Sequence, residues 1–325
     1  MPREMASVED LAFEIPLRPQ SLNEFVGQDS LRERLEVLVG AAKQRGEALG
    51  HCLFSGPPGL GKTTLANILA KAMGTELVVI SAPVIEKAGD LAGVLTKLNT
   101  GDVFFIDEIH RLSRNVEEYL YQAMEDFTLD LMIDSGPASR SVRVPLKRFT
   151  LAAATTRAGL LSAPLRTRFA CSCRLDYYSP ETLQTILLRT STLLGMKIDR
   201  EALYEVARRS RGTPRIANNL LRWVRDFAQM RTGGESTFES VTKALKMLSI
   251  DDKGLDEMDK KILDVIINYY EGGPVGLKTL AVAVGEESGT IEEVYEPYLI
   301  MQGMIKRTPQ GRVATPLAYA HLGKT

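Results

Sequence analysis

Cysteine is scarce in this chain, with three residues, Cys52, Cys171 and Cys173, among 325. They cannot build a disulfide framework, and Cys171-x-Cys173 lacks a second Cys or His pair at zinc-site spacing. All three are expected as reduced thiols filling small spaces. The three histidines, His51, His110 and His321, are scattered and offer no metal site. Long apolar runs are missing too: stretches such as Val103-Phe104-Phe105-Ile106 fall far below the ~18 residues of a membrane span. The first residues, MPREMASVEDLAFEIP, carry Glu4, Glu9 and Asp10 and no apolar stretch, so neither a secretory nor a transit peptide is expected and the cytoplasm is the expected location. Nor is there an excess of either charge: 40 Lys and Arg face 41 Asp and Glu, for a net charge of −1. With 44% hydrophobic and 25% charged residues, that balance excludes a disordered tail protein and a globally basic DNA-coating protein. The chain shows no internal repeat and no low-complexity tract.

What is present is organised in segments. The length suggests two or three domains. Residues 1–178 hold 20 basic and 22 acidic side chains, whereas 179–250 hold 12 and 7 and are net positive. Residues 255–325 hold 7 and 10, yet positions 304–325 contain Lys306, Arg307, Arg312 and Lys324 and no acid. The last segment therefore reads as an acidic domain with a basic tip. In the first segment, His51–Ser55, Leu77–Ser81, Val103–Ile106 and Phe149–Ala153 read as buried strands separated by helix-length stretches, which predicts an α/β domain with a parallel sheet. The second opens with Ser179-Pro180-Glu181, a helix N-cap followed by proline, and reads as helices only, the first ending near Gly195. A hinge is expected at residues 250–254. Beyond it, helical patterns near 256–270, 277–284 and 289–302 precede two short strands joined by Thr308-Pro309-Gln310-Gly311, the outline of a winged helix-turn-helix.

The strongest chemical signal is Gly56-Pro57-Pro58-Gly59-Leu60-Gly61-Lys62-Thr63, a G-x-x-x-x-G-K-[ST] string between an apolar strand and a helical run, Thr64–Met73, closed by Gly74. Glycines let backbone N–H groups converge on phosphate oxygens, Lys62 brings a point charge, and the Thr63 hydroxyl suits Mg²⁺, all at a helix N-terminus that favours anions. Downstream, Val103–Ile106 runs into Asp107 and Glu108. One strand thus delivers both carboxylates to its C-terminal end, where α/β sheets bind ligands. Asp107 suits magnesium held through water, and Glu108 the polarising of an attacking water. His110 reads as a neighbour of Glu108 rather than a base.

Further strings resemble those of the AAA+ ATPases. Leu17-Arg18-Pro19 with Glu24-Phe25-Val26-Gly27-Gln28 is similar to their N-terminal box, Thr155-Thr156-Arg157 to sensor 1, Leu165-Arg166-Thr167-Arg168-Phe169 to the arginine-finger segment, and Gly212-Thr213-Pro214-Arg215 to sensor 2. From about residue 15 to the end, the strings GPPGLGKTTLA, FIDEIHRL, AMEDF, AAATTR, RGTPRIA, GGPVGL, EPYL and RTPQGR narrow the resemblance to bacterial ring motors that migrate Holliday junctions. The resemblance implies a P-loop domain, a small helical lid and a winged helix, divided as 1–178, 179–250 and 255–325. It implies an ATP and Mg²⁺ site in which Leu17, Arg18 and Tyr178 border the adenine and Gly59, Gly61, Lys62, Thr63 and Thr64 hold phosphates. Thr156 would sense the γ-phosphate, Arg215 would reach the nucleotide from the lid, and Glu125, Asp126 and Phe127 would lie near it. Arg168 would act in a neighbouring subunit's site, so a homo-oligomer, expected as a hexameric ring, is implied. At one position the chain departs from the pattern: Ala170 stands where the family carries glycine, so a changed local path after the finger is expected.

For DNA, Lys306, Arg307 and Arg312 flank the Pro309-Gln310-Gly311 turn, and the resemblance makes Arg307 and Arg312 contacts to duplex DNA. Read on charge alone, the alternative to a DNA contact is a charged, solvated hairpin. Residues 129–146 read as another hairpin, with Leu129, Leu131 and Ile133 alternating up to Ser135-Gly136-Pro137 and Val142, Val144 and Leu146 after it. It is either a pair of strands packed on the core or, by resemblance, the docking site of a junction-recognition protein; a junction resolvase is a further implied partner. Two rival functions stay open. A clamp-loader-type switch is disfavoured by Thr167-Arg168-Phe169, because such subunits commonly carry Ser-Arg-Cys there. A site-specific regulator is disfavoured by the acidic stretch Ile291–Glu296, since specific readout favours Asn, Gln or Arg at base edges.

Overall fold

The structure, a computed structural model, describes residues 17–132 and 141–324. The chain divides into two compact units, Met1–Tyr178 and Ser179–Thr325.

In the first unit, helix α1 (Asp29–Arg45) precedes strand β1 (Cys52–Ser55), α2 (Lys62–Met73), β2 (Leu77–Ser81), α3 (Ala88–Leu95), β3 (Val103–Asp107) and α4 (Arg114–Glu125). A two-stranded hairpin, β4 (Thr128–Met132) and β5 (Ser141–Pro145), leads to β6 (Thr150–Thr155), the short α5 (Ala163–Thr167) and β7 (Cys171–Arg174). The sheet has the order β2-β3-β6-β1-β7 with all pairings parallel. Its three central strands are covered on both faces. That is why β3, β6 and β1 read as continuous apolar runs, and burying a side chain such as Phe104 or Phe105 contributes about 1.5–3 kcal/mol. Four strands fall where the apolar runs predict them, with ends shifted by one or two residues. The fifth, β7, carries no such signal. It lies at the sheet edge, where alternate residues face solvent, and its sequence Cys-Ser-Cys-Arg has no hydrophobic run. Cys171 and Cys173 point inward from it and Cys52 pairs with Cys171 across β1, so the three buried thiols fill the sheet surface as expected. Ala170, just before this strand, does not adopt a left-handed backbone, so the absence of glycine leaves no strain there.

Residues 129–146 include the expected hairpin, and its base follows the core-strand alternative. β4 and β5 pair antiparallel, but Leu129 is fully buried in the sheet core and Leu131 packs against it. The base of this hairpin belongs to the core. Ile133 and Ser135-Gly136-Pro137 lie outside the described residues.

The second unit starts with α6 (Pro180–Leu193), whose N-cap Ser179 accepts the Thr182 N–H. It continues through α7 (Arg200–Arg208), α8 (Pro214–Arg231) and α9 (Phe238–Met247). It is not purely helical: β8 (Lys197–Ile198) and β9 (Glu235–Ser236) pair in parallel over two residues. Then follow α10 (Glu257–Tyr269), α11 (Leu277–Val284) and a third helical run, α12, made of Ser288–Thr290, the π-wound turn Ile291–Tyr295 and Glu296–Met301. Strands β10 (Ile305–Thr308) and β11 (Gly311–Ala314) form the wing, and α13 (Pro316–His321), unforeseen in the sequence, closes the domain. Val275 adds a bridge to Arg312 on the outer side of β11. Ile262, Leu263, Ile266, Leu280, Ile291 and Leu299 fill the core beneath the wing.

The expected hinge at 250–254 is not a loose one. Arg208 and Arg209, at the end of α7, donate to the carbonyls of Asp252 and Ile250, and Arg211 Nε donates to Gly254 O at 2.8 Å. From the other side Lys260 Nζ donates to Ser249 O at 2.6 Å and His321 meets Asp251 at 2.9 Å. Basic side chains from both directions thus hold one short linker.

Candidate functional site

Parallel strands put all their C-terminal ends on one edge, and that edge gathers the predicted nucleotide residues. β1 ends in the phosphate loop, β3 in Asp107 and Glu108, and β6 in Thr155 and Thr156. Gly56 turns out of β1 with φ 137°, and a Cβ there would come within 2.3 Å of the Leu175 carbonyl oxygen, so no other residue fits. Lys62 is buried, its Nζ donating to the carbonyls of Gly56 at 2.9 Å and Pro57 at 2.8 Å, which holds the ammonium over the loop. No side chain caps α2 at Gly61, and the N–H groups of its first turn, with the dipole behind them, face the loop. Thr63 follows at the helix start, beside the buried Thr64. Leu17 and Tyr178 are buried; the Tyr178 hydroxyl donates to Leu60 O at 3.2 Å, tying the strand-end segment to the loop, and burial pushes its pKa well above the ordinary phenol value. Arg18 is half-buried beside Leu17.

Glu108 is the most constrained acid. Its backbone is left-handed at φ 51°, a strained conformation for a non-glycine residue and one that concentrates at functional sites. Its Oε2 accepts from the Thr156 N–H at 3.2 Å and the Thr156 hydroxyl at 3.0 Å, and lies 3.1 Å from His110 Nδ1. The adjacency of β3 and β6 therefore joins the water-polarising candidate to the sensor candidate. Thr155, named in the sensor-1 string but given no role of its own, is fully buried with its hydroxyl 3.0 Å from the same His110 nitrogen. Only its place one residue before Thr156 could have flagged it. Asp107 Oδ1 accepts the Glu108 N–H at 3.1 Å. A buried lysine, a glycine-lined loop at a helix start, a threonine and two acids form the donor set that a nucleotide triphosphate and a hard divalent cation require.

Arg168 and the 125–127 segment are not brought to this edge. Arg168 ends α5, three residues before β7 begins, and so lies at the opposite, N-terminal edge of the sheet. Its guanidinium pairs with Glu125 at 2.9 Å, donates to Pro164 O at 2.8 Å and stacks 4.8 Å above the Tyr121 ring. Phe127 packs edge-on against Phe149 at 5.8 Å, beside the start of β6. Within one protomer, then, Glu125, Asp126, Phe127 and Arg168 form a second cluster, separated from the phosphate loop by the length of the strands. Arg215 stands in the first turn of α8 in the second unit.

On the wing, Arg307 and Arg312 are direct partners across β10 and β11. The sequence-level picture of an unopposed basic tip is corrected: α12 supplies the missing acids. Glu296, fully buried, accepts from Arg307 Nε at 2.7 Å and pairs with Arg312, and Glu292 pairs with Arg307 Nη2 at 3.0 Å. Arg307 keeps 46% of its side chain exposed and Arg312 only 14%. Lys306 is exposed on the same ribbon.

A phosphate loop joined to an acidic pair and a threonine bonded to it on a five-stranded parallel sheet, followed by a small helical region and a winged helix, defines an AAA+ ATPase. Comparison with known proteins narrows the class. Residues 17–175 match the family described as the Holliday junction DNA helicase RuvB P-loop domain, 178–251 the RuvB AAA lid domain, and 252–323 the RuvB C-terminal winged helix domain. The chain is 68% identical over 314 residues to the Holliday junction branch migration complex subunit RuvB of Protochlamydia amoebophila, covering 97% of this chain and 95% of the relative. It is 61% identical to the subunit of the same name from Chlamydia felis, covering 97% and 93%. The solved Thermotoga maritima RuvB Holliday junction branch migration motor superposes with a TM-score of 0.86 at 49% identity, covering 95% of this chain and 99% of that one. This chain belongs to the RuvB family. No helix among the described residues is long and apolar enough to cross a membrane.

Proposed function

We propose that this chain is the ATP-hydrolysing subunit of a ring that moves duplex DNA and drives branch migration of Holliday junctions in recombination and repair, in the cytoplasm. Its domains act as 1–178 for hydrolysis, 179–250 as a lid and 255–325 on DNA. The observation that carries the reading is the separation within one protomer of the phosphate loop from Arg168. A finger at the far edge of the sheet cannot reach its own loop, so each site is complete only when a neighbour supplies Arg168 together with the Glu125–Phe127 segment. A closed ring, expected as a hexamer, satisfies every finger and every loop at once.

Within that site Lys62 and the loop N–H groups hold the β- and γ-phosphates, Thr63 and Asp107 hold Mg²⁺, and Leu17, Arg18 and Tyr178 border the base. Bound ATP with its cation supplies the phosphoryl group whose transfer to water releases the driving free energy. Glu108, oriented by Thr156, polarises that water; Arg168 of the neighbour stabilises the charge that develops. Arg215 reports the nucleotide to the lid. Arg307 and Arg312 meet phosphates of the duplex, Arg307 being the more accessible of the two. A RuvA-like junction-binding protein docks on the 129–146 hairpin through residues other than Leu129 and Leu131, which serve the core, and a junction resolvase follows on the same DNA.

The test is a synthetic four-way junction incubated with the protein, ATP, Mg²⁺ and a RuvA-like partner. Wild type should dissociate it into duplex products by migrating the branch point, and Glu108→Gln should bind ATP and junction without doing so. A Glu108→Gln protein that moves the junction at the wild-type rate would contradict the assignment of Glu108.

A further inference from the structure

One buried network in the second unit belongs neither to Arg215 nor to the wing, yet lies between them. Arg211 is 5% exposed and sits in a left-handed backbone conformation at φ 54°, in the turn between α7 and α8. A β-carbon-bearing residue holds that conformation only when its surroundings over-determine it. Here the side chain does so. Its Nε donates to Gly254 O at 2.8 Å, its Nη2 pairs with Asp256 at 3.0 Å and with the fully buried Asp259, and its plane lies 5.0 Å from the Tyr298 ring. Asp256 and Asp259 form the capping box of α10. Tyr298 belongs to α12, and its hydroxyl donates to Lys253 O at 2.6 Å. Burial pushes the Asp259 carboxyl up to about 7, against the pull of the Arg211 guanidinium.

The position of Arg211 gives these contacts a direction. Four residues on, Arg215 lies in the first turn of α8, and Gly212, Thr213 and Pro214 form a short connection between them. On the far side, Tyr298 is two residues from Glu296, which holds both wing arginines. Gly254 closes the assembly: its φ is +76°, and a Cβ there would lie 2.7 Å from the Arg209 carbonyl oxygen. A path of side-chain contacts joined by short stretches of backbone therefore runs from the start of α8 through Arg211 to α10 and α12, and along α12 to Glu296, Arg307 and Arg312. A buried ion pair is weak evidence for stability, since its desolvation cost offsets most of its attraction. What a multidentate guanidinium supplies instead is a fixed geometry between the elements it bridges.

We propose that Arg211 is the positioning residue that couples nucleotide state to the DNA-binding wing, by clamping the start of α8 to α10 and α12 so that lid and winged helix move as one body. The inference rests on the reading of Arg215 as the residue that reports nucleotide. Arg211 itself touches neither ATP nor DNA. Its loss should leave both ligands bound and break the link between them.

The experiment measures, on full-length protein with a four-way junction, ATP hydrolysed and base pairs migrated in the same reaction, with duplex affinity by titration. Arg211→Ala and Asp259→Asn should hydrolyse ATP within about twofold of wild type and bind duplex equally well, while base pairs moved per ATP fall about tenfold, the size of an ordinary coupling free energy. Should single variants fail to fold, the Arg211→Met, Asp259→Leu double variant keeps an apolar, packed junction without the directional fork, and the same drop is expected of it. Unchanged movement per ATP in a folded variant overturns the proposal. So does loss of hydrolysis itself, which would make Arg211 part of the ATP machinery. Arg215→Ala tests the underlying reading separately: it should alter ATP binding or turnover with duplex affinity intact, and an Arg215→Ala protein with normal ATPase would remove that reading without touching the Arg211 measurements.

Discussion

The phosphate-loop edge of the first unit and the wing of the second are both polar surfaces set on apolar cores, but they are assembled in opposite ways. At the first, each strand of a parallel sheet hands its own C-terminal residues to one edge, so contiguous strings in the sequence become contiguous chemistry in space. At the wing, the charges that matter come from two elements: Arg307 and Arg312 from β10 and β11, Glu292 and Glu296 from α12. A reading by local charge finds a site of the first kind and misjudges one of the second. The wing is a compensated Arg–Glu network in which Glu296 holds the guanidinium groups in place, and on the proposed function a DNA phosphate would have to compete with Glu292 for the exposed side of Arg307.

The largest effects are expected at the first edge. Lys62→Ala should abolish nucleotide binding, because no other described ammonium is held over the loop, and equilibrium binding of a fluorescent ATP analogue checks it. Arg168→Ala should bind ATP almost normally and hydrolyse it up to about 10³-fold more slowly, as other arginine fingers do, measured as phosphate release at saturating ATP.

At the wing the effects should be smaller and salt-dependent. Arg307→Ala should weaken binding to duplexes of unrelated sequence alike and lower the slope of log affinity against log salt by about one unit for each DNA phosphate no longer neutralised. Glu292→Gln should do the reverse and strengthen binding, since it removes one of the two carboxylates on Arg307 while Glu296 still holds the side chain in place. Glu292→Gln binding no tighter than wild type would break the picture of a competing carboxylate. An effect of Arg307→Ala confined to one duplex sequence would favour a site-specific regulator.

The smallest effect concerns the far edge of the sheet, where His51 Nε2 donates to Met124 O at 3.1 Å and its Nδ1 accepts the Leu151 N–H at 2.8 Å. Burial, the larger influence, lowers its pKa below the usual 6.5, so the folded state favours neutral imidazole. An unfolded chain then binds more protons than the folded one as pH falls below 6.5, and stability is lost in that direction. Thermal melting of wild type between about pH 7.5 and 5.5 should show a fall that is shallower in His51→Gln; equal slopes would contradict it.

Legibility followed the same division. The central strands, the phosphate loop, Asp107 and Glu108 could be read because burial on both faces makes a strand uniformly apolar and because the loop needs glycine and lysine at fixed spacing, whereas Thr156 was legible only through the resemblance of its string. β7 could not, since an edge strand of Cys-Ser-Cys-Arg has no apolar signature. The linker at 250–254 read as a hinge because Asp251, Asp252, Lys253 and Gly254 are the residues of a solvated turn. Nothing local shows that Arg208, Arg209 and Arg211, some forty residues earlier, satisfy its carbonyls. The left-handed backbone of Glu108 was equally invisible, since no local residue pattern marks it.

On the proposed function each hydrolytic site is built from two subunits. The most direct measurement mixes Arg168→Ala with Lys62→Ala protein in one assembly, each inactive alone, and follows phosphate release after mass measurement has established that mixed rings form. Hydrolysis should reappear wherever the intact Arg168 of a Lys62→Ala subunit faces the intact loop of an Arg168→Ala subunit. Mixed rings that stay as inactive as either parent would contradict it.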